Sequence, residues 1–139
     1  HQLHLLCQML ITWKGTICGA VDLKFKEAVE AMSGGTITID LQGSGVLGAE
    51  ADTWMNAGGT GTVDLIRIGA NSLNNYSCTK SILTSLPYTF ESRDHFYAFA
   101  ASDVGQELLN EPEDFKIGVR GLFYGEEGTR NFFTVKTIR

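Results

Sequence analysis

The chain has 139 residues, 43% of them apolar, and a mean hydropathy of −0.01. It reads as one soluble folded domain, large enough to bury a core, and neither a disordered segment nor a membrane-embedded one. A net charge of −5 sets it against nonspecific nucleic-acid binding, which needs a basic face, but leaves room for a locally positive cleft that takes an anion.

In chain order, residues 3–13 read as a first strand or apolar arm. They carry no basic leader and no small-residue cleavage site, and Leu5-Leu6-Cys7 lacks the small residue that a lipoprotein box places before its cysteine. From residue 22 to 32, Leu23, Phe25, Ala28, Val29 and Met32 recur at helical spacing, with Lys24, Lys26, Glu27 and Glu30 between them. Asp22 is the expected N-cap, and Ser33-Gly34-Gly35 the stop. Residues 36–41 alternate Thr and Ile, a half-buried strand. A glycine-rich turn over 43–48 leads to a helix over 49–57, and residues 62–70 form the next strand. Polar residues 71–77 read as loop, and 81–86 as a short helix or turn ahead of Pro87. A helix is expected over 92–110, in one or two pieces (95–101 and 104–110), followed by an acidic turn at Glu111-Pro112-Glu113-Asp114. Residues 115–124 and 130–137 read as strands. Alternating helices and strands predict an α/β fold with a largely parallel sheet.

Gly43-Ser44-Gly45-Val46-Leu47-Gly48 satisfies Gly-x-Gly-x-x-Gly between a strand and a helix, with Asp64 downstream. A dinucleotide site for NAD or FAD is thus one alternative. Against it, Asp64 falls at the start of its strand and not at its carboxyl end, and a helix and strand precede the glycines. The plainer reading is a structural turn with no cofactor. Cys7, Cys18 and Cys78 show no Cys-x-x-Cys spacing and read as buried thiols and not metal ligands. No Gly-x-Ser-x-Gly elbow occurs, and His95 and the Glu126-Glu127 pair read as surface groups, so an enzyme is not expected.

The strongest candidate for chemistry is Arg130, between Gly128 and the β-prone run Asn131-Phe132-Phe133-Thr134-Val135. A guanidinium fixed at a strand start, with glycine keeping the approach open, suits bidentate capture of a carboxylate. Its plain alternative is a solvated arginine or one paired with Glu126 or Glu127. Ligands in open α/β sheets lie beyond the carboxyl ends of strands, which nominates Gly69 and Asn71 (with Ala70 and Ser72 beside them) as secondary candidates. Asn71 serves equally as a turn residue. Arg67, inside its strand, is expected to face solvent or pair across an interface.

An ordered series of short pieces runs through the sequence. It begins with Phe25-Lys26-Glu27-Ala28-Val29-Glu30-Ala31-Met32, Ser33-Gly34-Gly35 and Thr36-Ile37-Thr38-Ile39. Gly45-Val46-Leu47-Gly48, Gly61-Thr62-Val63-Asp64 and Leu86-Pro87-Tyr88-Thr89-Phe90 follow. Gly105-Gln106-Glu107-Leu108-Leu109 and Gly128-Thr129-Arg130, with Lys136 and Ile138, complete it. The series resembles the solute-binding proteins of tripartite ATP-independent periplasmic (TRAP) transporters, of the dicarboxylate-binding DctP type. The resemblance implies most of the first lobe of a two-lobed periplasmic binding protein, truncated near the first interlobe crossing. It implies a salt bridge from Arg130 to a ligand carboxylate, with a second ligand-holding arginine beyond Arg139. A small organic acid ligand, membrane permease subunits as partners and a periplasmic address follow from it, with the export signal missing or removed. An incomplete lobe is also expected to self-associate, as a homo-oligomer or strand-exchanged dimer, or to persist as a fragment without a working site.

Overall fold

A computed structural model describes residues 2–9, 16–48, 52–53, 55–114, 117–126 and 128. Its centre is a three-stranded, wholly parallel sheet built from β1 (Leu3–Met9), β2 (Ile37–Gln42) and β3 (Leu65–Arg67), in the order β2-β1-β3. Leu3 faces Ile37 and Gln8 faces Gln42 on one side of β1; Cys7 faces Leu65 and Met9 faces Arg67 on the other. The α/β expectation is met, and the carboxyl ends of all three strands share one edge.

Between β1 and β2 runs α1 (Ile17–Met32). Its N-cap is Thr16, whose hydroxyl oxygen accepts a hydrogen bond from the Gly19 N–H at 3.0 Å. The expected cap, Asp22, instead lies within the helix, 8% exposed. The apolar stripe extends upstream through buried Cys18, so the helix starts earlier than Asp22. The predicted stop is correct: Gly34 and Gly35 take φ of 61° and 79°, and the Gly35 N–H donates to the Glu30 carbonyl at 2.9 Å.

Two side chains of α1 reach the β2 backbone at Ile39. Glu30 Oε1 accepts from the Ile39 N–H at 3.0 Å, and Lys26 Nζ donates to its carbonyl at 2.7 Å. Ile39 is 1% exposed. The pair therefore gives the Ile39 N–H and carbonyl partners within the molecule.

After β2 the glycine-rich segment is a turn, with the Gly48 N–H donating to the Gly45 carbonyl at 3.0 Å. The helix expected over 49–57 is described only at residues 52–53, after which Met55–Gly59 forms a π-type turn. The strand expected over 62–70 shrinks to Leu65–Arg67. Two 3₁₀ helices, Ala70–Tyr76 and Lys80–Ser85, replace the expected loop and short helix. Leu73 and Cys78 form a buried cluster there, covered by Ile66, Ile68, Tyr76, Ile117 and Val119.

Two α-helices follow, α2 (Arg93–Ala101), capped by the Ser92 hydroxyl, and α3 (Asp103–Asp114). The break falls at Ser102, in agreement with two pieces. The acidic turn does not form, because α3 runs on through Glu111 and Pro112. Glu111, 2% exposed, accepts from the Thr79 N–H at 3.0 Å and the Lys80 N–H at 3.1 Å. It thereby holds the start of the second 3₁₀ helix against α3.

Residues 117–126 carry no ladder pairing, so the strand expected over 115–124 is not formed among the described residues. Side-chain alternation is nonetheless respected, with Ile117 and Val119 both on the Leu73–Cys78 cluster. The backbone of Gly118 (φ 88°) lies directly on that of Gly58, where a Cβ on either would overlap a carbonyl oxygen of the other segment. The strand expected over 130–137, and residues 10–13 of the first arm, lie outside the described residues.

Candidate functional site

In an open parallel sheet the loops beyond the carboxyl edge form the natural ligand-facing surface. Here they begin after Met9, Gln42 and Arg67. After β2, the turn is closed on itself, and Asn56 Nδ2 donates to the Leu47 carbonyl at 3.3 Å. The glycine motif thus follows an outer strand of the described sheet, not the central one. Asp64, the acid a dinucleotide reading would place on ribose, is engaged at the opposite end of β3. Its Oδ2 accepts from the Leu6 N–H at 2.8 Å, and its own N–H donates to the Leu6 carbonyl at 3.0 Å. Both pieces of the dinucleotide pattern have structural work, which removes the support for that alternative.

After β3 the backbone turns at Gly69, whose carbonyl accepts from both the Ser72 N–H at 3.0 Å and the Ser72 hydroxyl at 2.6 Å. Gly69 and Asn71 are exposed at the start of the first 3₁₀ helix. Gly128 is exposed with φ 109° and open space where a Cβ would stand. Arg130 lies outside the described residues, so the geometry brings Gly69 and Asn71 together and leaves the arginine unplaced.

A charged pair behind this edge departs from the sequence expectation. Arg67 Nε lies 3.6 Å from Asp22 Oδ1, with side chains 24% and 11% exposed. Arg67 therefore pairs inside the molecule, between β3 and α1. Asp22 Oδ2 is buried without a hydrogen-bond partner. Burial pushes the Asp22 carboxyl above its ordinary value, partly offset by the Arg67 charge. Cys7 is pushed up to about 11, by burial and then by Asp22. The signal for the pair is present in the sequence: Asp22 shares a helical stripe with Cys18, Phe25 and Val29, where only a partnered acid is tolerable.

Cys7, Cys18 and Cys78 are buried and free of disulfides. Burial, with Glu111 adding its charge, also raises Cys78 to about 11. Thiols held protonated at neutral pH are poor nucleophiles. His95 is exposed in the first turn of α2, its Nδ1 accepting from the Glu91 N–H at 3.3 Å. Glu126 pairs with Arg93 at 3.0 Å. Among the described residues, Gly69 and Asn71 stand exposed at this edge, while Arg67 pairs with Asp22 and Arg93 with Glu126.

A solute-binding protein of Sulfitobacter sp. strain NAS-14.1 is 28% identical over 117 residues, covering 83% of this chain and 34% of that protein. A TRAP periplasmic solute-binding protein from Ochrobactrum anthropi, its C-terminus bound in the ligand-binding pocket, superposes with a TM-score of 0.76. It is 23% identical, covering 83% of this chain and 35% of the other. The corresponding protein of Polaromonas sp. JS666, bound to D-erythronate, gives a TM-score of 0.73 at 19% identity, with 82% and 37% covered. The chain thus spans about a third of the length of the relatives it matches, and the α/β architecture is that of the first lobe in those neighbours. The sequence also matches the profile of one family across residues 12–139. On that match, the chain belongs to the bacterial extracellular solute-binding protein family 7, DctP.

Proposed function

We propose that the protein captures a small carboxylate-bearing solute in the periplasm and delivers it to the membrane permease subunits of a TRAP transporter, without catalysing a reaction on it. The observation that carries this reading is the family match over residues 12–139, which takes in the Gly128-Thr129-Arg130 motif. The two solved neighbours agree with it in ligand chemistry, since D-erythronate and a polypeptide C-terminus both present a carboxylate. Arg130 is the proposed anchor, making charge-assisted hydrogen bonds to the carboxylate. Gly69 and Asn71, turned out at the carboxyl edge of β3, supply neighbouring polar contacts. Self-association, as a homo-oligomer or strand-exchanged dimer, belongs to the same reading, with apolar side chains such as Met32, Val46 and Tyr88 exposed.

Calorimetric titration of the full-length protein with dicarboxylates, sugar acids, sialic acid and 2-oxo acids tests the proposal. At least one carboxylate binds, and Arg130→Ala weakens it by about tenfold or more. A folded protein that answers to no carboxylate refutes capture. Equal affinity in Arg130→Ala removes the anchor.

A further inference from the structure

Three side chains of α1 stand where a neighbouring strand would, along the outer edge of β2. The Leu3 N–H donates to the Thr36 carbonyl at 2.8 Å, which fixes the direction of every backbone group that follows. Successive residues of a strand turn their backbone groups to opposite sides. Those of Thr38, Asp40 and Gln42 therefore point to β1, and those of Ile37, Ile39 and Leu41 point away from it. Ser33, the C-cap of α1, accepts through its hydroxyl oxygen from the Ile37 N–H at 3.1 Å. Glu30 and Lys26 take the N–H and the carbonyl of Ile39. Spaced four and three apart, Lys26, Glu30 and Ser33 form one row along the helix. Lys26 and Glu30 also pair with each other at 3.7 Å, their side chains 34% and 31% exposed. In the neighbouring pair, Lys24 and Glu27 are 82% and 64% exposed. The charges of α1 thus divide into a solvated pair and a pair turned onto β2.

We infer that Lys26, Glu30 and Ser33 are an edge guard: they close the outer edge of β2 to β2 of a second copy of this chain. The edge is complementary to itself. Two copies of β2 paired antiparallel about a two-fold axis through Ile39 exchange both Ile39 backbone bonds. That register sets Ile37 opposite Leu41 and Thr38 opposite Asp40, an apolar pair and a pair free of like charges. It also brings the Met32 end of one β2, exposed and apolar, to the exposed Val46 end of the other. The guard already holds the Ile37 N–H and both Ile39 groups, so pairing must first displace three side chains. Neither carboxylate capture nor the position of Arg130 enters this inference, and it holds whether or not the wild type associates through other surfaces.

Residue-resolved amide hydrogen exchange over a series of protein concentrations tests it in full-length protein, with light scattering for mass and circular dichroism for folding. In wild type, exchange at the Ile39 amide is slow and independent of concentration. In the triple variant Lys26→Ala, Glu30→Ala, Ser33→Ala it is about tenfold faster in dilute solution. It then slows as concentration rises, while the mass climbs toward twice that of wild type. Glu30→Gln keeps an oxygen acceptor for the Ile39 N–H and behaves as wild type in both readouts, which separates the edge bonds from the charge. Unchanged Ile39 exchange in the triple variant overturns the inference, because the side chains then do not hold the edge. Fast exchange at every concentration overturns it as well, whether the mass stays at the wild-type value or rises through another surface. Glu30→Ala alone keeps both outcomes readable if the triple variant does not fold.

Discussion

Asp22 puts a carboxyl on the buried stripe of α1, facing Arg67 at a distance longer than a hydrogen bond and leaving Oδ2 without a donor. Burial therefore outweighs the arginine, and the carboxyl titrates above 3.8 in the folded state. An acid whose folded pKa is raised binds more protons folded than unfolded. Its contribution is fully present below pH 3.8 and is lost as pH rises through the folded pKa. Urea unfolding across a pH series should show this as a difference between proteins. The stability of wild type minus that of Asp22→Asn falls as pH rises from about 4 through the folded pKa, then levels. A difference flat with pH would refute the buried-acid reading. Removing Asp22 also takes away the smaller of the two causes holding Cys7 near 11. The candidate ligand residues are legible in a different way. Gly69 and Asn71 follow from strand order alone and do stand exposed where the backbone leaves β3. Arg130 follows from its flanking glycine and from the resemblance. Asp22 escapes a sequence reading because a lone acid near the start of a helical pattern is usually a cap.

At the scale of elements, what the sequence carries is facing, not pairing. The 3.6-residue spacing finds α1 and the Thr/Ile alternation finds β2, because each element buries one side-chain stripe against the other. The same alternation at Ile117 and Val119 is real, and both residues reach the core. It does not reveal that their backbone lies on Gly58 and α3 and not on a strand, since side-chain period reports direction and not hydrogen-bond partners. The 3₁₀ helices read as loop or short turn for a related reason. Their polar composition fits either, and what fixes the second is Glu111, a residue 31 positions downstream of Lys80. Pro112 hides that residue by suggesting a helix end, although proline near the close of α3 removes only one donor. Glu111→Gln keeps one acceptor oxygen but turns an amide N–H₂ toward the Thr79 and Lys80 donors. A loss of about 1.5–3 kcal/mol in denaturant unfolding is expected. Wild-type stability in that variant would show that the carboxylate does not hold this contact.

For the molecule as a whole, β1 is the element on which the rest converges. It is flanked by both other strands in register, and its Leu6 N–H is claimed by the Asp64 side chain that starts β3. Cys7, in its middle, is among the buried core side chains. By contrast, residues 70–85 rest on short 3₁₀ turns and a small cluster around Leu73 and Cys78, with poorer hydrogen-bond geometry. Opening that region exposes one small cluster, whereas opening β1 separates the whole sheet. Native-state hydrogen exchange should therefore be slowest at β1 residues 4–7, approaching the global unfolding free energy. It should be markedly faster across 70–85 through sub-global opening. Asp64→Ala then acts as an internal control, accelerating exchange at Leu6 above its neighbours because one N–H loses its acceptor while the ladder stays. Equal protection in β1 and the 3₁₀ region would mean that the protein opens as a single cooperative unit. Gly69 and Asn71, at the start of that region, would then share the rigidity of the sheet. Faster exchange there places the loop after β3 among the segments that open ahead of the sheet.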